Sequence, residues 1–112
     1  MSDSYTRLNV LLDAVVAGNA TSDDFQASCS ELKGYHGRAY EAYHGSLDAS
    51  KALHDAVLPS AVIWDQSHSY FGYEFSILLD DYQFVGCSKH NPARAWLITI
   101  LKALIAQSPK PS

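Results

Sequence analysis

The sequence predicts one α+β domain, in which a small three-stranded antiparallel sheet is covered by helices. The prediction depends on a change of period along the chain. Apolar residues recur every three or four positions up to residue 58, every second position between 61 and 88, and every three or four positions again from residue 92. The alternating segments are joined by short connections, which favour an antiparallel meander. A chain of 112 residues is long enough for a single core, so 1–112 is expected to form one domain.

The composition is that of a packed globular protein with a mild negative charge. Hydrophobic residues make up 47% of the chain, and 12 acidic against 8 basic residues give a net charge of −4. This balance disfavours binding of nucleic acid through a basic face, and it is too small to mimic a DNA backbone.

Export and membrane insertion are not expected. No apolar run approaches the roughly 20 residues that span a bilayer, and the first nine residues lack the basic-then-apolar pattern of a secretory signal. Cys29 and Cys87 are therefore expected to be free thiols in a soluble, cytoplasmic protein.

Two helices are predicted within residues 4–33. The first has an apolar stripe with helical spacing, formed by Leu8, Leu11, Leu12, Val15 and Val16. Gly18 follows at the position where helices often end in the left-handed conformation. The second helix is expected to be short, with Thr21 or Ser22 as its N-cap.

The segment GYHGRAYEAYHG, residues 34–45, repeats Tyr-His-Gly and raises the question of a histidine metal site. If the segment were helical, His36 and His44 would lie about 12 Å apart along the axis, too far to share one ion. The simpler interpretation is an approach to the next helix, in which Gly45 permits the turn and Ser46 is the N-cap. Pro59 is expected to end that helix.

A meander and a long helix complete the predicted core, which spans 46–107. Strands are expected at 61–66, 73–79 and 83–88. The last helix has Asn91 as its N-cap and Pro92 at its first position. Its apolar face is expected to lie on the sheet and consists of Ala93, Trp96, Leu97, Ile100, Leu101, Leu104 and Ile105. The N-terminal helices are expected alongside it or on the opposite face of the sheet.

The motifs AYHGSLDASKALHDAVLP and NPARAWLITILKALIAQ resemble a family of small bacterial and prophage proteins with a phage alpha-beta-alpha sandwich domain. The matching residues are Tyr43, Ser46, Ala49, Ala52, Leu58, Pro59, Trp64, Pro92, Ala93, Ala95, Leu101, Ala103 and Leu104. The resemblance covers about 42–107 and implies a sandwich-like fold in a bacterial host. It implies no catalytic residue, because the family has no established activity.

Two groups of residues contain side chains of the types that catalytic sites use. Cys87 and His90 lie just before the last helix, where a helix N-terminus and an imidazole can lower a thiol pKa. Asp65, Ser67, His68 and Ser69 contain the components of a triad, but residues so close in sequence rarely reach triad geometry. Neither group is complete. We therefore expect that the protein is not an enzyme and that it binds no metal and no cofactor.

Aromatic residues are concentrated in WDQSHSYFGYEF, around the first predicted hairpin. Exposed aromatics on loops commonly anchor protein partners. The candidate partner-binding residues are Trp64, His68, Tyr70, Phe71, Asp80, Asp81 and Tyr82.

These residues suggest a protein-binding module. Three functions are considered, of which the first two are uses of such a module. The first is an inhibitor of a host defence complex, similar to an anti-CRISPR protein, which would place an acidic surface beside an aromatic anchor. The second is a phage accessory or assembly protein, and the third is a small thiol-dependent enzyme using Cys87 and His90. A homodimer is also expected to be possible, because few charges protect the outer strands.

Overall fold

The computed structural model describes residues 4–69 and 72–108, and the side chains of Trp64 and Ser69 lie outside that description. The elements are α1 (Ser4–Ala17), α2 (Ser22–Ala27), α3 (His36–Tyr43), α4 (Leu47–Val57), β1 (Val62–Ser69), β2 (Gly72–Leu79), β3 (Tyr82–Ser88) and α5 (Pro92–Gln107). The predicted α+β class, with a long C-terminal helix, is confirmed. Over these ranges, no helix has both the length and the apolar character needed to cross a membrane.

The three strands form one antiparallel sheet in the order β1-β2-β3, as the short connections predict. β1 is longer than the predicted 61–66 because its pairing with β2 continues to Ser69, opposite Gly72. The register shifts between Ile63 and Asp65, so Trp64 lies at a bulge in the outer strand.

Helix α5 lies between the sheet and the other helices. It packs on β2 and β3 with one side, and on α1, α3 and α4 with the other. The predicted apolar face is therefore only part of its contact surface, since Ala95, Ile98 and Thr99 are buried as well. A helix that is apolar nearly all round is typical of such an interior position.

The sheet approaches α5 closely at Gly86 in β3. A Cβ atom placed there would lie 2.4 Å from Oγ1 of Thr99 and 2.6 Å from the carbonyl oxygen of Ala95. Oγ1 of Thr99 lies 2.8 Å from the carbonyl oxygen of Ala95 and 3.1 Å from that of Phe75, and its single O–H is shared between these two acceptors. Because Gly86 has no side chain, α5 lies close enough to the sheet for Thr99 to hydrogen-bond to its backbone.

The predicted helix caps are confirmed. Ser46 accepts a hydrogen bond from the Ala49 N–H at 3.1 Å, and Asn91 accepts one from the Arg94 N–H at 3.1 Å. Thr21, rather than Ser22, is the N-cap of α2, and it forms a capping box with Asp24.

Two local features differ from the sequence prediction. Residues 36–43 form a separate helix, α3, which buries Ala39, Ala42 and Tyr43. Val16 belongs to the predicted stripe of α1, yet it is 63% exposed. Helix α1 packs mainly on one neighbour, α5, so its buried stripe is narrower than the apolar pattern suggests.

The helices cover one face of the sheet. Of the two places considered for the N-terminal helices, they occupy the one beside α5. The opposite face of the sheet exposes Asp65, Glu74, Gln83 and Cys87.

A buried histidine connects α4 to α5. Nδ1 of His54 accepts a hydrogen bond from Nε1 of Trp96 at 3.1 Å, and Nε2 donates to the carbonyl oxygen of Ala61 at 2.9 Å. Both ring nitrogens are satisfied by the neutral imidazole, so this histidine has a structural role.

Candidate functional site

Four of the candidate partner-binding residues have described side chains, and these four lie at two opposite ends of the sheet. His68 is near the end of β1 that leads into β2, whereas Asp80 and Asp81 follow the other end of β2. The eight residues of β2 separate these ends by about 23 Å at 3.3 Å per residue. His68 and the two aspartates therefore cannot belong to one compact surface. The meander predicted from the sequence already implied this separation.

Asp80, Asp81 and Tyr82 form a compact surface, called here the acidic tip. The two aspartates make a two-residue hairpin turn, with φ values of 51° and 69°. Positive φ at both central positions is the type I′ geometry, which Asn-Gly adopts with least strain. Tyr82 is 70% exposed beside them. A depression of about 360 Å³ lies next to this ring and is lined by Leu79, Phe84 and Gln107, among others.

The other end of the sheet has a second candidate surface, called here the aromatic groove. It is an open cavity of about 320 Å³ lined by Leu47, Gln66, Ser67, His68, Tyr73, Phe75 and Pro92. His68 stacks on Tyr73 across the strand pair, with ring centroids 4.3 Å apart. Phe75 stacks in the same way on Trp96, at 5.1 Å. The groove exists because α5 lies under β2 and β3 and leaves the inner face of β1 uncovered.

Three of the candidate residues are not placed by these contacts. Tyr70 and Phe71 lie outside the described residues, as does the side chain of Trp64. Their role in binding a partner stays a prediction.

The proposed triad components are separated by the sheet itself. Asp65 is opposite Ser76 and His68 is opposite Tyr73, and these two β2 residues point to different faces. A carboxylate and an imidazole on opposite faces cannot share a proton. This arrangement rules out the interpretation of Asp65 and His68 as a catalytic pair.

Cys87 is exposed on the outer face of β3 and has the wrong environment for an activated thiol. Partial burial of the sulfur atom and the adjacent Glu74 carboxylate raise the pKa of its thiol. The positive charge of Lys102 lowers that pKa, but by less. Sγ of Cys87 lies 3.7 Å from a carboxylate oxygen of Glu74. A reactive cysteine needs a lowered pKa, so the structure disfavours the thiol-enzyme alternative. Cys29 and Cys87 are both free, as predicted.

His36 is the first residue of α3, and His44 is its C-cap. His44 packs edge-on against Tyr40 and Tyr43, with centroids 4.6 and 5.0 Å apart. Within residues 4–69 and 72–108, no three His, Cys, Asp or Glu side chains come together in a metal-binding group.

The sequence does not predict one feature of the structure, which is a cleft where Lys89, His90 and Arg94 come together with the end of α1. In the sequence these residues only flank the N-cap of a helix in an acidic protein. Nothing local predicts that residues 15–18 close the other side.

Comparison with models of known families, with curated proteins and with solved structures finds no match to this chain. The resemblance to the phage sandwich-domain family therefore stays a prediction, based on its two motifs.

Proposed function

We propose that this protein is a non-enzymatic binding module whose acidic tip docks on a basic surface of a protein partner. The observation that carries the proposal is the strained turn: two aspartates with positive φ, next to a tyrosine that is 70% exposed. Left-handed conformations in residues other than glycine cost roughly 1 kcal/mol each and concentrate at functional positions.

The fold itself does not require this choice of residues. Asn-Gly would form the same turn with less strain and without two adjacent negative charges. The side chains of Asp80, Asp81 and Tyr82 make no hydrogen bond or ion pair with another described residue. They are thus free to contact a partner, with Tyr82 as the aromatic anchor and the carboxylates as partners for lysine or arginine.

The use that fits this surface best is inhibition of a host defence complex in the bacterial cytoplasm. An acidic projection with an aromatic anchor can occupy a basic nucleic-acid channel without the charge of a general DNA mimic, and the net charge of −4 agrees with that. The two free cysteines suit a reducing compartment.

A phage accessory or assembly role is the second candidate, and the free edge of β1 favours it. On the other outer strand, Nζ of Lys102 donates to the Val85 carbonyl oxygen at 2.7 Å. This bond makes the β3 edge less available for pairing with a strand of another molecule. β1 has the bulge at Trp64 but exposes Gln66, Ser67 and His68 beyond it. This edge and the aromatic groove together offer the surface through which a homodimer or a larger assembly would form.

The experiment is a pull-down from a bacterial host lysate with variants that keep the fold. Asp80→Asn/Asp81→Gly preserves the turn and relieves its strain, so a loss of capture cannot result from unfolding. Asp13→Asn/Asp55→Asn removes the same charge from exposed helix positions and is the matched control. We expect wild type and control to capture one partner that the tip variant loses.

The identity of the captured protein then separates the two uses. A defence effector lost only with the tip variant supports inhibition, whereas a virion component supports the accessory role. If the tip variant captures everything that wild type captures, the proposed surface is wrong. Loss of the partner in Tyr70→Ala/Phe71→Ala alone would assign binding to the segment that joins β1 to β2 and not to the acidic tip.

A further inference from the structure

The structure contains a basic cleft at the end of the sheet opposite to the acidic tip. Its volume is about 420 Å³, and it lies between the end of α1, the end of β3 and the start of α5. Lys89, His90 and Arg94 line it together with Ser88 and Gly18. None of its lining residues, in the described part of the chain, is acidic.

Arg94 is held in place before any ligand binds. Its guanidinium carbon lies 4.1 Å from the ring centroid of Tyr43, and its Nε donates to the Tyr43 carbonyl oxygen at 3.1 Å. Nη1 is on the side of Gly18, 3.9 Å from the position that a Cβ of residue 18 would occupy. Neither Nη nitrogen donates to another described residue, so four N–H groups of a half-buried side chain are unused.

The positive charge of the cleft has no carboxylate partner in the described part of the chain. Arg7, Arg38 and Lys51, in contrast, each form an ion pair with a carboxylate elsewhere in the molecule. Lys89 and Arg94 have no such partner among the described residues. The first turn of α5 is already capped by Asn91, so the attraction for an anion comes from these side chains and not from the helix end.

We propose that the cleft binds the phosphate group of a small phosphorylated molecule. The fixed fork of Arg94 matches two phosphate oxygens, Lys89 supplies a mobile charge, and Ser88 and His90 offer further donors. A phosphate accepts hydrogen bonds on several oxygens at once, which suits donors that converge from different elements. The volume of the cleft exceeds that of one phosphate and leaves room for the remainder of the molecule.

Calorimetric titration with inorganic phosphate and with phosphoserine tests the proposal, with sodium chloride of equal ionic strength as the reference. The cleft variant is Lys89→Gln/His90→Gln, and the matched control is Lys33→Gln, which removes one exposed lysine that forms no ion pair with another described residue. Wild type and control should bind both phosphates, and the cleft variant should bind them at least about tenfold more weakly, as expected for the loss of a charged hydrogen bond. Equal heats with phosphate and chloride, or equal binding by the cleft variant and the control, would overturn the proposal.

A second variant tests the role of Arg94. Arg94→Lys keeps the charge and loses the fork, so phosphate affinity should fall while circular dichroism shows an intact fold. Unchanged affinity in a folded Arg94→Lys protein contradicts the assignment.

The acidic tip of another copy is the competing occupant, because its carboxylates also complement the cleft. Sedimentation distinguishes the two: concentration-dependent association that disappears in both the cleft variant and Asp80→Asn/Asp81→Gly would assign the cleft to self-association and overturn the phosphate proposal. The tip variant should otherwise bind phosphate like wild type. Failure of the partner-binding proposal and failure of this one are thus separate results.

Discussion

The two ends of β2 differ in how much of the fold depends on them. At the end near the start of α5, a Cβ on Gly72 would lie 2.6 Å from Cα of Lys89, so the backbones are in close contact. Asn91 and Arg94 both donate to the Tyr43 carbonyl oxygen there, at 3.3 and 3.1 Å. At the acidic tip, the corresponding turn is strained and its side chains bond to no other described residue.

Packing explains the residues at the end of β2 near the start of α5. It does not explain the residues of the acidic tip. The packed end allows few substitutions because several elements meet there within van der Waals distance. The tip allows many, and yet its two aspartates adopt a conformation that other residues adopt more easily. The packed end is therefore expected to control stability, and the tip to control binding.

The largest effect is expected midway between the two ends, from Gly86→Ala. The added methyl group would overlap Thr99 Oγ1, the Thr99 nitrogen and the Ala95 carbonyl oxygen, all closer than 3.0 Å. Because two of these are backbone atoms of α5, the helix must move away from the sheet. We expect a loss of more than about 3 kcal/mol in the free energy of unfolding, measured by urea denaturation. A loss below 1 kcal/mol would show that the layers are not packed as described.

Gly72→Ala tests the packed end directly. Residue 72 has φ of 120°, where a side chain is strained, and its Cβ would also contact Ser88 and Lys89. We expect a loss of about 2 to 3 kcal/mol in urea denaturation. Thermal unfolding of Gly37→Ala is the control, because a Cβ at residue 37 meets nothing within 4 Å.

Asp81→Gly tests the tip and should have the opposite sign. Glycine adopts the positive φ of 69° without a Cβ penalty, so the protein should become more stable by about 0.5 to 1 kcal/mol. The same denaturation measurement checks it. Destabilisation by this change would mean that Asp81 makes contacts that the fold requires, and the contrast between the two ends would disappear.

The smallest change concerns reactivity rather than stability. Because burial and Glu74 raise the pKa of Cys87, a smaller fraction of this thiol ionises at pH 8 than of an ordinary cysteine. In a Cys29→Ser background, iodoacetamide should modify Cys87 more slowly than free cysteine. Glu74→Gln should speed the reaction, and a faster reaction in the parent would reopen the thiol-enzyme alternative.

The acidic turn shows where prediction of the candidate site succeeded and where it did not. The predicted strands at 73–79 and 83–88 leave Asp80, Asp81 and Tyr82 in the connection between them, and all three are predicted partner-binding residues. Their distance from His68 depends on the direction of β2, which a meander implies. The basic cleft was not predictable in this way, because α1 reaches it from a point about 70 residues earlier in the chain.

Features that depend on neighbouring residues were predictable from the sequence. The caps at Ser46 and Asn91, the change from helical to alternating period and the short strand connections all act within a few positions, so local chemistry specifies them. Three other features are visible only in the folded structure: α5 is buried on nearly every side, the helices leave one face of the sheet open, and Arg94 is fixed against Tyr43. These features join segments far apart in the chain, and they form only when the burial of apolar surface brings those segments together.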